Sequence, residues 1–316
     1  MMAPLDARVT GAFLQAAEVW IPDPAGEYLV RAEGAYGPHE SFGGVSGEHG
    51  FARGEGLPGR AWAEARPFVL TDLSDPRFFR AEAARSAGLG AAAALPVFSD
   101  GALKGVLVLF CGADPGHAGA LELWHAGDAP DAVMRLEGGY YGADDTFREV
   151  SERTTFARGK GLPGGVWGAR APMLMRDLSA ARGFLRAESA AKAGLTTGLG
   201  IPVFTPGKDA WAVTLLSAAR SPVARRFEIW DVTAGRGGQK AVATLVDGLC
   251  DTEGALWTRE RRIEPWQGPV GRALATAAPV VEANPATAPA GVRYEGMVAL
   301  PIHPQGEVAR VVAWFF

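Results

Sequence analysis

The feature that most constrains this chain is that it repeats itself. Residues 51–62 read FARGEGLPGRAW and residues 156–167 read FARGKGLPGGVW, identical at nine of twelve positions and 105 residues apart. A worn third copy, WQGPVGRAL at 266–274, places Gly268 and Gly271 107 residues after Gly161 and Gly164. Other landmarks keep the same step. AEVW, LELW and FEIW end at Trp20, Trp124 and Trp230. LPV at 95–97 recurs as IPV at 201–203 and LPI at 300–302. DLSDPRFFRAEAARSAGL at 72–89 matches DLSAARGFLRAESAAKAGL at 177–195 with one residue inserted. A period of about one hundred residues is too long for a solenoid repeat, so each unit must hold its own core. The expected domains are 1–112, 113–219 and 220–316. Their joints, GADPGHAG and ARSPVARR, are too short to act as flexible linkers, so the domains should pack closely.

Each unit runs in the same order. A first strand ends at the repeated Trp, and a second strand alternates apolar and polar residues. A loop of variable character leads to the Gly-rich motif and a short helix (GRAWAEA, GGVWGAR, GRALATA). A short strand then reaches Asp72, Asp177 or Asn284. An Ala- and Arg-rich helix follows in units one and two. In unit three its place is taken by ANPATAPAG, whose prolines cannot sustain one. Two strands close each unit. The pattern predicts an α+β fold: three consecutive domains, each a mostly antiparallel five- or six-stranded sheet with short helices.

The ordered string GLPGRAW…TDLSDPRF…AGL…LPVFSDGALKGVLVLF, and its counterpart in unit two, resembles the GAF domain family over essentially all of both units. Unit three keeps GPVGRAL, MVALPI and the last strand, as a degenerate copy would. Members of that family often end in a helix that packs into a dimer interface. Here Leu109 and Gly112 pass almost directly into the next unit, and the one candidate terminal helix is residues 5–17. The resemblance implies a sensory or regulatory module whose ligand lies between the sheet and the segment running from the GxxG helix to the Asp-Leu helix. Residue by residue it points to Gly59, Trp62, Asp72, Phe78, Phe79 and Arg80 in unit one, and to Gly164, Trp167, Asp177, Phe184, Leu185 and Arg186 in unit two. The cysteine that bilin-carrying members need is not in either segment, since Cys111 and Cys250 end strands. The Asn-Lys-Phe signature of cyclic-nucleotide binders and the clustered cysteines of methionine-sulfoxide reductases are also missing.

The residues themselves leave alternatives open. The free N–H groups behind the motif can hold an anion, or the glycines can serve only the turn, because glycine tolerates positive φ. The motif is not a P-loop, lacking GxxxxGK[ST]. Trp62 and Trp167 can wall a pocket or anchor a core. Asp72 and Asp177 can cap the start of a helix or touch a ligand. Arg80 and Arg186 lie too near Glu82 and Glu188 along the helix to face them, which leaves an anion-binding role available. The net charge of −4, with both signs interspersed, offers no case for nucleic acid or an anionic membrane. No apolar stretch has the length of a membrane span, and no secretory leader is apparent. The five histidines are scattered and no G-x-S-x-G elbow occurs. The expectation is a cytoplasmic bacterial protein, not an enzyme and without a cofactor. It binds a small anionic or aromatic molecule and signals to a protein partner, with a homodimer as one form. The competing reading is a protein-interaction scaffold without a ligand.

Overall fold

The closing strands GVLVLFC, WAVTLLSA and RVVAWFF are apolar without alternation, the pattern of a strand covered on both faces. A computed structural model describes residues 12–235, 240–256, 261–286 and 292–316 and shows what covers them. The first sheet contains β1 (Leu14–Pro22), β2 (Tyr28–Ala35), β3 (Gly50–Ala52), β4 (Phe68–Leu70), β5 (Leu89–Ser99) and β6 (Ala102–Gly112), in the order β3-β2-β1-β6-β5-β4. The second contains β7 (Gly119–Ala126), β8 (Arg135–Tyr140), β9 (Met173–Arg176), β10 (Leu195–Val203) and β11 (Ala210–Ala218), ordered β8-β7-β11-β10-β9. The third contains β12 (Arg226–Thr233), β13 (Val242–Cys250), β14 (Gly254–Ala255), β15 (Arg262–Ile263), β16 (Val280–Ala283), β17 (Gly296–Ile302) and β18 (Arg310–Phe315). Its order is β14-β13-β12-β18-β17-β16, with β15 on β13. All pairings between named strands are antiparallel, and the five-strand core has one topology in all three units. The α+β expectation holds, with three GAF-like sheets.

Each sheet buries both faces. In β6, Val106, Val108 and Phe110 face the unit's own helices, while Leu107, Leu109 and Cys111 enter a core shared by all three units. Leu121, Leu199 and Val213 join that core from unit two, and Ile229, Leu300 and Trp314 from unit three. Head-to-tail contacts close the ring around it. Arg66, before β4, pairs with Glu137 on β8 at 3.2 Å. Arg176 on β9 pairs with Asp247 on β13. Arg272 pairs with Glu33 on β2 at 2.7 Å, and the Val281 N–H of β16 donates to the same carboxylate at 2.7 Å. The three acceptors are equivalent, each an acid followed by glycine on the second strand. A heterologous contact that closes after three copies makes a ring.

The helices differ from expectation in three places. The variable loop of units one and two contains α1 (Glu40–Gly47) and α4 (Asp145–Arg153); the glycines of SFGGVSG had disguised the first. The post-motif helices α2 (Gly56–Ala63), α5 (Gly161–Ala169) and α7 (Gly268–Thr276) begin inside the motif itself. Of the terminal helix expected over 5–17, residues 5–11 lie outside the described residues and Leu14 onward is β1, because that stretch alternates between the two cores. The helices after Asp-Leu, α3 (Ala81–Ser86) and α6 (Ala187–Lys192), are short. Residues 287–291, within the proline-rich segment of unit three, lie outside the described residues. The described residues 284–286 and 292–295 flanking them form no helix. Among the described residues no helix is long and apolar enough to cross a membrane.

Candidate functional site

The repeated motif folds as one device. Gly54 and Gly159 have φ of 92° and 81°, and Gly56 and Gly161 of 57° and 64°, a region L side chains rarely adopt. The third glycine meets a different constraint. A Cβ on Gly59 would lie 2.2 Å from the Ala52 carbonyl oxygen, one on Gly164 2.2 Å from that of Ala157, and one on Gly271 2.4 Å from that of Glu264. The approaching turn crosses the first turn of the helix, and the Gly54 N–H donates to the Gly59 carbonyl at 2.8 Å. Gly59 and Gly164 are therefore buried beneath backbone.

Behind this turn lies a buried ionic centre. The register of β1 on β2 slips between Val19 and Trp20, of β7 on β8 between Leu123 and Trp124, and of β12 on β13 between Ile229 and Trp230. A bulge of this kind re-aims side chains. In each unit it sets a glutamate beside the Trp, on the helix side of the sheet. Trp20 Nε1 donates to Glu18 at 2.8 Å, Trp124 Nε1 to Glu122 at 3.0 Å and Trp230 Nε1 to Glu228 at 3.0 Å. In unit one Arg80 meets Glu18 with two parallel bonds, 2.6 and 3.1 Å, and also donates to the Ser46 hydroxyl. The Tyr36 hydroxyl donates to Glu18 at 3.1 Å. Unit two repeats the set with Arg186 on Glu122, plus Ser151, Tyr141 and a Thr214 hydroxyl at 2.6 Å. Arg80 and Glu18 are almost wholly buried, as are Arg186 and Glu122. The Arg80 guanidinium is caged by rings, with centroids at 4.9 Å for Phe42, 5.2 Å for Phe78 and 5.5 Å for Trp20. Arg186 lies similarly among Phe147, Trp124 and Phe184. Burial alone would raise the Glu122 pKa, but Arg186 and the hydrogen bonds around it hold the carboxyl below the usual glutamate value. Burial, then the adjacent glutamate, push the Tyr36 and Tyr141 hydroxyls well above the usual tyrosine range. Unit three keeps the glutamate and recruits its cation elsewhere. Arg226, on β12 itself, bonds Glu228 at 2.7 Å and Glu253 at 2.6 Å.

Residues 6–125 match the sequence model of the GAF domain. The match spans the whole first sheet. Units two and three are GAF-like by their shared sheet order. Among solved structures, a Staphylococcus aureus NreA protein mutated in its nitrate-binding site is 16% identical over 34% of this chain and 80% of its own, with a TM-score of 0.27. The GAF domain region of a putative membrane protein from Geobacter sulfurreducens is 20% identical over 31% and 64%, TM-score 0.26. The GAF domain of a phosphoenolpyruvate-protein phosphotransferase from Coxiella burnetii is 16% identical over 33% and 58%, TM-score 0.26. No curated protein matches the chain.

The sequence-predicted residues of the two domains divide by depth. Phe78, Arg80, Phe184 and Arg186 are core residues of the buried centres. Phe79 and Leu185 point outward, 51% and 59% exposed. Asp72 is exposed and accepts the Ser74 N–H at 2.8 Å; the Ser74 hydroxyl first, and then this N–H, lower its pKa, and Asp177 accepts the Ser179 hydroxyl at 2.6 Å. Both close local turns at the entry to the helical segment. Trp62 is half-buried against its own GAF core. Trp167 is likewise half-buried against its own core and in addition lines a cleft of about 490 Å³ at the junction of all three domains. Its walls come from Asp100 and Gly101 of the β5–β6 hairpin, residues 202–211 around the β10–β11 hairpin, and residues 303–306 after β17. Two contacts tie the rim: the Ser99 hydroxyl donates to the Gly306 carbonyl at 2.6 Å, and Arg170 donates to that of Pro304 at 2.7 Å. The three glutamates of the buried centres were missed from sequence. Their signal was present: an acid inside an apolar strand, two residues before Trp, in all three units.

Proposed function

We propose that this chain is a non-enzymatic sensory or regulatory protein in which a small molecule binds where the three domains meet, and a protein partner reads the result. One observation carries the reading. The centres behind the sheets of domains one and two hold the chain's own Arg–Glu pairs and aromatic rings, and whereas an open cleft of about 400 Å³ beside Asp72 and α3 lies along domain one, the cleft lined by Trp167 draws its walls from all three domains. A ligand there touches three bodies at once, so its binding energy can bias their packing, which is what coupling to a partner requires. The filled interiors also suit the competing reading, a ring-shaped scaffold that binds only proteins.

A thermal-shift screen of the intact chain against a metabolite panel separates the two. At a hundredfold excess over Kd a ligand adds about 2.7 kcal/mol to stability, so a binder should raise Tm visibly. The Trp167→Ala variant should lose that shift and Trp62→Ala should keep it. A panel without effect, or a shift indifferent to Trp167, favours the scaffold.

A further inference from the structure

We infer that the ligand of the junction cleft is a small, multiply charged anion, a phosphate or carboxylate compound, held by Arg158, Arg170 and Lys208. This rests on the reading of the junction as the binding place. The three cations come from three points of one domain. Arg158 lies in the motif turn before α5, Arg170 caps the far end of that helix, and Lys208 lies in the β10–β11 hairpin. All three line the junction cleft, and all three also line an adjoining, somewhat larger one of about 570 Å³, with Trp167 shared as a wall. Their known engagements leave charge unspent. Arg158 lies over the Trp167 ring at 5.8 Å, and Arg170 lies over Phe204 at 4.7 Å besides its bond to the Pro304 carbonyl. Among the described residues no carboxylate lies within 4 Å of any of the three. Arg66, at the neighbouring interface, differs by pairing with both Glu64 and Glu137.

Four acids also line the two clefts. Asp209 engages His125 at 3.1 Å, and Asp100 accepts a weak bond from Ser99 at 3.4 Å. Asp128 and Asp131 line the adjoining cleft. His303 is held by the Gly306 and Ala277 carbonyls. The arrangement is particular to domain two. Arg53 repeats the arginine over its tryptophan, at 5.9 Å from Trp62, but Ala65 occupies the position equivalent to Arg170, and unit three has Pro265 and Ala277 at the two arginine positions. Arg170 adopts a left-handed backbone, φ 51°, as Ala65 and Ala277 do. Two guanidinium forks and one ammonium around an apolar ring are complementary to a compound bearing phosphate or carboxylate groups.

The test is isothermal calorimetry on the full chain with two probes, pyrophosphate and citrate, at low and at physiological salt. Saturable binding of either probe is expected, weaker at the higher salt. The Arg158→Ala/Lys208→Ala variant should lose about tenfold or more in affinity. Arg153→Ala, an exposed charge elsewhere in the same domain, should match the parent. Both altered side chains are exposed, and an unchanged circular dichroism spectrum confirms the fold. Absence of saturable binding, or binding indifferent to the double variant, overturns the assignment. If a neutral compound needs Trp167 but tolerates the double variant, the anion inference falls while the junction reading stands. If Trp167→Ala binds every compound as the parent does, the junction reading falls.

Discussion

Replacing Glu122 by alanine is expected to cost about 3–5 kcal/mol of stability, the usual penalty for stranding one member of a buried ion pair. Glu122 accepts bonds from Arg186, Trp124, Tyr141 and Thr214, so one truncation takes an acceptor from four donors at once. Denaturant unfolding would measure the loss. A second variant separates the ionic pair from packing: Glu122→Leu with Arg186→Met removes both charges, and apolar replacement of a buried pair is often tolerated. It should recover much of the loss, though not all, because Thr214 loses its acceptor and Trp124 keeps only the longer contact to the Thr214 hydroxyl, at 3.3 Å. The pH dependence has a defined sign. The folded carboxyl titrates below the ordinary value of 4.5, so its stabilising contribution is complete above that pH and is lost as pH falls through the depressed folded value. Acid sensitivity below about pH 4.5 should therefore weaken in the apolar double variant. A Glu122→Ala protein as stable as the parent would mean that the pair is not formed as described.

Gly164→Ala is expected to be the other severe change, at about 3 kcal/mol or more, because the new Cβ would meet a backbone carbonyl that cannot swing away. The 2.2 Å approach recurs at Gly59, so Gly59→Ala should behave alike. Gly44 supplies the contrast. It sits within α1 with nothing within 4 Å of its Cβ position. There alanine should stabilise by about 0.5–1 kcal/mol through helix propensity. Thermal melts of the three variants would establish whether the motif serves the fold. A Gly164→Ala protein that melts like the parent would reopen the turn as a ligand cradle.

The architecture was legible because its signals were local and repeated. The 105-residue step, the Trp at the first strand and the closing strands each report on one unit. The buried centre was half legible. Arg80 stands out, but the acid nearest it in sequence, Glu82, is too close along the helix to face it. Glu18 lies 62 residues away in sequence and reaches Arg80 only through the fold. The cleft was not legible at all. Asp100, Trp167 and Gln305 share no pattern along the chain, and only ring closure brings them together. The shared core did leave a trace in the unalternating closing strands, which a single two-layer domain would not need. The helices α1 and α4 escaped because Gly-Gly in one and a highly charged sequence in the other hide their small buried faces.

The central claim is that the junction of the domains, not the interior of any one, takes the ligand. Native mass spectrometry of the intact chain purified from its own host tests this most directly, comparing the parent with Trp167→Ala and Trp62→Ala. The account predicts a co-purifying small-molecule mass on the parent and on Trp62→Ala, lost from Trp167→Ala. A mass that follows Trp62 instead, or one that survives both substitutions, would contradict it.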